Sequence, residues 1–293
     1  MKRFDRLEHI LSLDPDDDCE TIYRLLAELE FPWDITRALE LALFRTYAVP
    51  SIGRLLDRTG QFTGCPQRRY DDTVLVLYEI FHGGAGSERG AAALAQLNTI
   101  HGAYRISNDD YLYTLATFVV VPVRWLAEFG WRELHPREVR AMTNTMRRLG
   151  DGMGLHDVPA DYAEFERLLD DYERDRFGFD PGGRRVADAT LDLLASWYPR
   201  PLAPLARRVP RLLMDPHLLE ALGLPVPAPR PRALARAALR LRAGLVRLGP
   251  PRSAQRPVRP EPPSYPDGYR IDELGPSAVR RGRSGREHAV TPA

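Results

Sequence analysis

Residues 97–115 read LNTIHGAYRISNDDYLYTL, and their reading decides the fold. Leu94, Leu97, His101 and Tyr104 recur at i, i+3, i+7 and i+10, so a helix ends here with a histidine on its apolar stripe. Ser107, with Asp110 three residues on, is an acidic version of the capping box. It opens a second and strongly apolar helix, DYLYTLATFVVVPVRWLAEFG, which Pro122 is expected to kink.

The same grammar repeats outward. Toward the N-terminus, Ser87 starts ERGAAALAQLNTIHGAYR, and Pro66 sits in the first turn of QRRYDDTVLVLYEIFH, which stops at Gly83–Gly84. SIGRLLDRTG reads as a short helix ended by Gly60. Asp34, after FPW, is expected to cap ITRALELALFRTYA, and a first helix is expected near 18–30. Toward the C-terminus, helices are expected near 137–149, 161–177, 184–198 and 203–222, with Asp161 and Glu164 as a second capping box. No strand pair and no fixed-period repeat is legible. The expected fold is all-α, a single multi-helix globular domain over residues 1–224.

Composition changes near residue 199, because 18 of the 26 prolines lie from Pro199 onward. PVPAPRPR, residues 225–232, reads as an extended linker. A short basic amphipathic helix over 232–248 follows, with Leu234, Ala238, Leu241 and Leu245 set between Arg232, Arg236, Arg240 and Arg247. After Gly249 the chain is Pro- and Arg-rich and is expected to be disordered, so 225–293 reads as a tail.

Several function classes fall away on composition. A net charge of +1 argues against binding nucleic acid through phosphate neutralisation. Lys2 is the only lysine, which excludes Schiff-base and phosphate-cradling lysine chemistry in the interior. Cys19 and Cys65 form no CxxC and read as free thiols of a reducing compartment. MKRFDRLEHI has no apolar leader, and LATFVVVPVRWL is too short and interrupted to span a bilayer. A cytoplasmic chain is therefore expected, with peripheral membrane contact through 232–248 and no transmembrane span. No histidine pair has zinc spacing, no pair of ExxH motifs suggests a di-iron bundle, and no GxSxG or P-loop is present.

Two polar sets remain inside apolar helices. In RRYDDT, residues 68–73, Arg69, Asp72 and Thr73 fall on one helical face. An internal Arg–Asp pair explains that set without any chemistry. His101 points with the leucines, and a neutral imidazole bonded to a backbone carbonyl explains it too. Two features favour a ligand role. Gly90, Ala91, Ala92, Ala93, Ala95 and Gly102 thin one helix enough to admit a flat macrocycle. Arg105, one turn on, could face a propionate.

Taken together, EFPWDITRALELALFRTYAVPSI, RRYDDT and LNTIHGAYRISNDDYLYTLATFVVVPVRWL resemble the MpaB-type oxygenase family, which includes ER-bound fungal enzymes and bacterial latex-clearing rubber oxygenases. The resemblance covers roughly residues 1–222. It implies an all-α fold with a buried pocket holding haem b on one histidine. It also implies that O₂ cleaves a carbon–carbon double bond of a hydrophobic, isoprenoid substrate. Carried over, His101 matches the iron ligand, and Arg69 and Thr73 match a polar face. Asp72 stands where the latex-clearing branch has a lysine, which puts this chain nearer the MpaB branch. Asp72 would orient Arg69 or act as a base. Phe118, Val119–Val121 and Trp125 would wall the substrate's path. Two alternatives stay open: the same fold and haem doing hydroxylation or peroxidation, and a non-catalytic helical module that docks on a membrane or partner.

Overall fold

A computed structural model of the chain describes residues 2–276. His288 and the last part of the expected tail lie outside them. The described chain is helical throughout its core, and the all-α expectation holds. The N-terminal part contains Asp5–Ser12 (α1), Cys19–Leu25 (α2), Pro32–Tyr47 (α3), Pro50–Arg58 (α4), Gln61–Gly64 (α5) and Pro66–Gly83 (α6). Glu88–Gly102 (α7), Asn108–Phe129 (α8), Pro136–Gly152 (α9) and Tyr162–Arg176 (α10) follow. Pro181–Ser196 (α11), Ala203–Leu213 (α12), Pro216–Ala221 (α13) and Pro229–Leu248 (α14) complete the set.

The centre is α8, whose Tyr113, Ala116, Val119 and Val120 are fully buried. It packs against α3 on one side and α10 and α9 on the other, while α6 and α7 form an adjacent helical hairpin. Among the described residues α8 is the one helix long and apolar enough to cross a membrane, but most of its apolar stretch is buried in this core. A smaller cluster of Phe44, Tyr47, Val186, Leu191 and Leu218 ties the end of α3 to α11 and α13. There α4 crosses α11 so closely that a Cβ on Gly53 would stand 2.7 Å from Gly183 Cα, which only glycine permits.

The caps behave largely as read. Ser87 Oγ accepts from Gly90 N at 3.0 Å, and Ser107 Oγ accepts from Asp110 N at 3.1 Å. Asp110 does not complete the box. Its Oδ1 accepts from Ser51 Oγ at 2.8 Å and Tyr172 Oη at 2.9 Å, pinning the start of α8 to α4 and α10. Asp161 Oδ1 caps α10 through Glu164 N at 2.9 Å.

Four expectations are corrected. Asp34 is no cap: Pro32, which has no N–H to satisfy, begins α3 two residues earlier. Asp34 is instead buried inside the helix, where its Oδ1 accepts from Trp125 Nε1 at 3.2 Å and Arg242 Nη1 at 3.0 Å. The expected helix 203–222 is two helices, because Asp215 caps a new one through Leu218 N at 2.9 Å with Pro216 in its first turn. The extended linker expected over 225–232 is already helical from Pro229, where α14 begins with prolines in its first turn. Residues 250–276 are not loose either. They run back over the domain as a strap, with Val258 N bonded to Glu28 O at 3.1 Å and Leu274 fully buried.

After α2 the chain widens into a π-helical turn, Leu26–Glu30, with Phe31 N bonded to Leu26 O at 2.8 Å. That turn delivers Glu30 into a buried ionic network. Arg6 Nη1 and Arg132 Nη2 donate to Glu30 at 2.7 and 3.2 Å. Arg132 Nη1 also meets Glu138 Oε2 at 2.6 Å, and Glu138 accepts from His135 N at 2.7 Å as part of the α9 capping box. Removing Glu30 strands buried Arg6, while Arg132 keeps only Glu138. Glu30→Ala is therefore expected to lower the unfolding free energy by about 3–5 kcal/mol. Urea unfolding followed by circular dichroism checks this, and a change within error would show that the network is immaterial.

Candidate active site

The short connections on either side of α7 turn three helices toward one space. Helix α6 presents Arg69, Asp72, Thr73, Val76 and Leu77. Helix α7 presents Leu97, Ile100 and His101, and α8 presents Asp110, Tyr111, Thr114 and Phe118. Together with α4 they enclose a cavity of about 520 Å³, the size of a small-molecule or cofactor site. All five residues singled out in the sequence, Arg69, Asp72, Thr73, His101 and Arg105, line this one cavity.

His101 carries the clearest signal. Its Nδ1 is buried and has no hydrogen-bond partner. A purely structural histidine would bond a backbone carbonyl there, and this ring nitrogen does not. Burial, with the positive charge of Arg69 as the lesser cause, pushes the imidazole down to about 4. The ring is thus neutral at neutral pH, as a metal-binding imidazole must be. It leans on Tyr111, with ring centroids 5.3 Å apart. A buried polar group left unpaired costs about 1–3 kcal/mol, which a bound electrophile would recover.

Arg69 is the second unusual group. Its Nη1 donates to Thr73 Oγ1, and the Thr73 hydroxyl donates back to Arg69 O at 2.9 Å. The guanidinium lies 5.1 Å from the centre of the Phe62 ring. It forms no ion pair among the described residues, and burial draws its affinity for the proton downward. Arginine stays protonated even so, so the cavity wall carries a fixed cation in apolar surroundings.

The expected Arg69–Asp72 pair is not formed. Asp72 is buried and instead accepts from Tyr265 Oη, a strap residue 193 positions away. Asp72 therefore does not orient Arg69; Thr73 does. Arg105 is exposed at the rim and makes no ion pair among the described residues. Of the expected apolar walls, Phe118 lines the cavity, whereas Val119, Val120 and Trp125 face the core.

Sequence reasoning missed a second cavity. It also measures about 520 Å³ and lies across the Arg69–Thr73 turn of α6, between α2, α3 and the strap. Ala27, Ile35, Leu39, Val74 and Phe81 form its apolar walls. The strap's Val258–Pro263 stretch closes one side. Leu39 and Val74 are at helical spacing from core residues, so nothing in the sequence separates cavity wall from core.

No group of three or more His, Cys, Asp or Glu is placed to hold a metal ion among the described residues. An iron held by His101 would therefore need its remaining donors from a macrocycle. The space beside His101 and its unpaired nitrogen fit that arrangement, whereas the small residues expected to make room, Gly90, Ala91, Ala92, Ala93, Ala95 and Gly102, do not line it.

Comparison with known proteins gives the family. The mpaB' oxygenase of Penicillium brevicompactum, described as ER-bound, is 32% identical over 259 residues, 82% of this chain and 61% of its own length. The ER-bound oxygenase mpaB of the same species is 34% identical over 206 residues, 64% of this chain and 52% of its own length. Its Penicillium roqueforti counterpart is 31% identical over 226 residues, 71% of this chain and 76% of its own. This chain thus spans about half to three-quarters of these relatives. Residues 35–247 match the family described as ER-bound oxygenase mpaB/B'/Rubber oxygenase, catalytic domain, so the match takes in α14, beyond the expected limit near residue 222. The chain belongs to this oxygenase family.

Proposed function

We propose that the chain is a haem b-dependent oxygenase that uses O₂ on a hydrophobic, prenyl-type substrate and cleaves a carbon–carbon double bond. The observation that carries this reading is the convergence of Arg69, Asp72, Thr73, His101 and Arg105 on one cavity in which His101 Nδ1 is buried and unpaired. Family membership supports the oxygenase class, and the cavity beside His101 supports a bound cofactor.

Haem b, when bound, would supply redox-active iron for chemistry with O₂. His101 would hold the group from α7, neutral because burial keeps the proton off the ring. Arg105, exposed at the rim, would be available to a carboxylate of the group. Arg69 presents a fixed N–H donor to negative charge that develops in the cavity, with no carboxylate ion-paired to it among the described residues and Asp72 acting on it only through space. Thr73 fixes the guanidinium through its hydroxyl. Asp72, held by Tyr265 Oη, is the nearby base for an allylic proton. The apolar walls exclude water.

Isotopically labelled O₂ tests the reaction. With a prenylated aromatic substrate, cleavage places label on both carbonyl fragments. A single labelled hydroxyl on an intact skeleton would identify hydroxylation instead.

We also infer that the outer face of α14 rests on a membrane surface. Leu234, Leu241, Leu245 and Leu248 are all more than half exposed. The basic character of this helix is weaker than its sequence suggests, since Arg236 and Arg240 pair with Glu128 and Arg242 pairs with Asp34. Apolar contact, rather than charge, is the main attraction. Leu241→Glu with Leu245→Glu is expected to reduce flotation with anionic liposomes about tenfold or more. Unchanged flotation would overturn this assignment.

A further inference from the structure

We propose that the second cavity holds the apolar chain of the substrate, and that strap residues 258–265 form its removable wall. The inference rests on the oxygenase reading for the reaction, while the binding it asserts is measurable without any cofactor.

The cavity's chemistry points to a hydrocarbon ligand. Its middle is Ala27, Ile35, Leu39, Val74 and Phe81. Several of the polar groups on its walls are already paired. Tyr70 Oη donates to Glu40 Oε1 at 2.9 Å, His82 Nδ1 meets Glu28 Oε1 at 2.6 Å, and Trp197 Nε1 donates to Gln67 Oε1 at 2.6 Å. Burying an apolar chain beside these pairs leaves none of them newly unsatisfied. Arg24 and Arg259 also line the cavity, both close enough to Tyr78 to act on its hydroxyl, and neither is ion-paired among the described residues. They mark the end at which a ligand's polar group would sit.

Position makes the cavity useful. It shares Tyr47, Phe62, Arg69, Thr73, Leu77 and Phe118 with the histidine cavity. A chain lying in the second cavity therefore ends against the one polar turn that also faces His101. The two compartments separate the tasks: one takes the cofactor, the other the hydrocarbon, and Arg69 with Thr73 stands between them.

The strap closes this compartment and lies beyond the matched family region. Between residues 250 and 270 it contains neither helix nor strand. It is fastened at separate polar points: Val258 N to Glu28 O at 3.1 Å, Ser264 N to Asp71 Oδ2 at 2.9 Å, and Tyr265 Oη to Asp72. Asp71 lines the second cavity and Asp72 the first, so one latch touches both. Further on, Leu274 is buried and its carbonyl accepts from Gln96 Nε2 at 2.6 Å. Gly275 follows at φ +100°, packed so tightly that a Cβ would stand 2.5 Å from Ile100 Cδ1. The end of the strap is thus anchored on the histidine helix, while 258–265 can lift without unwinding any helix.

The test uses the full-length, cofactor-free chain and a polyene fatty alcohol whose fluorescence rises out of water, with a prenyl alcohol as competitor. Val74→Trp fills the second cavity and is expected to weaken polyene binding at least about tenfold, while haem uptake by the histidine cavity is unchanged. Ala27→Phe makes the same test should the tryptophan variant fail to fold. Tyr265→Phe removes the latch hydroxyl and is expected to speed both association and release several-fold, with a smaller change in affinity. Wild-type polyene binding in both filled variants, or its loss only when Leu97→Trp fills the histidine cavity, would overturn the proposal. Polyene binding that persists in a chain unable to take up haem would separate this result from a failure of the haem assignment.

Discussion

Replacing His101 with alanine is expected to abolish retention of haem b and all O₂-dependent turnover, while the cofactor-free chain stays folded. The ring makes no hydrogen bond through Nδ1, so its removal breaks no network of the kind that holds Glu30 or Glu138. It also removes a buried polar atom that lacks a partner. Loss of a group that merely orients a ligand typically weakens metal affinity by about 10–100-fold, so loss of the ligand itself should exceed about a hundredfold. Soret absorbance after desalting measures retention, and circular dichroism measures folding. Imidazole added to the alanine variant should restore part of the absorbance, because the cavity would then hold the missing donor as a free molecule. A variant that retains haem like wild type would end the assignment of His101.

The second large effect concerns Arg69. Arg69→Ala is expected to lower kcat by about 10²–10³ while leaving haem uptake intact. The reason is the unusual isolation of its charge: no carboxylate pairs with it among the described residues, and Thr73 is its hydrogen-bond partner in the wall. A cation kept unpaired in an apolar wall lowers stability, so a site that retains it does so for what the charge meets. The alanine variant should accordingly unfold at the same or higher denaturant concentration than wild type. Arg69→Lys keeps the charge but loses the planar fork that Thr73 orients, so it should recover only part of the rate. A structural arginine predicts the reverse: lower stability with kcat nearly unchanged.

Much of this site was legible because helical periodicity is local. Arg69 and Thr73 share a face simply because they are one turn apart, and the phase of His101 follows from Leu94 and Leu97. Ser87 and Ser107 announce their helices because a cap is a contact between residues three apart. Asp34 misled because Pro32 could begin the helix first, which left the carboxylate free to accept from Trp125 and Arg242. The partner of Asp72 was not legible at all, because Tyr265 lies 193 residues further along the chain. The strap was misread for a related reason. A Pro-rich stretch cannot order itself, but Tyr265, Tyr269 and Leu274 give it buried and hydrogen-bonded anchors on α6 and α7. Whether a leucine faces protein or empty space depends on what packs opposite, so the second cavity left no trace in the sequence.

The haem assignment is tested most directly by titrating haem b into the purified, cofactor-free wild-type chain and following the Soret band. The account predicts saturation near equimolar haem, with a spectrum typical of nitrogen ligation that His101→Ala loses. A fully folded wild-type chain that produces no such band at any haem concentration would contradict it.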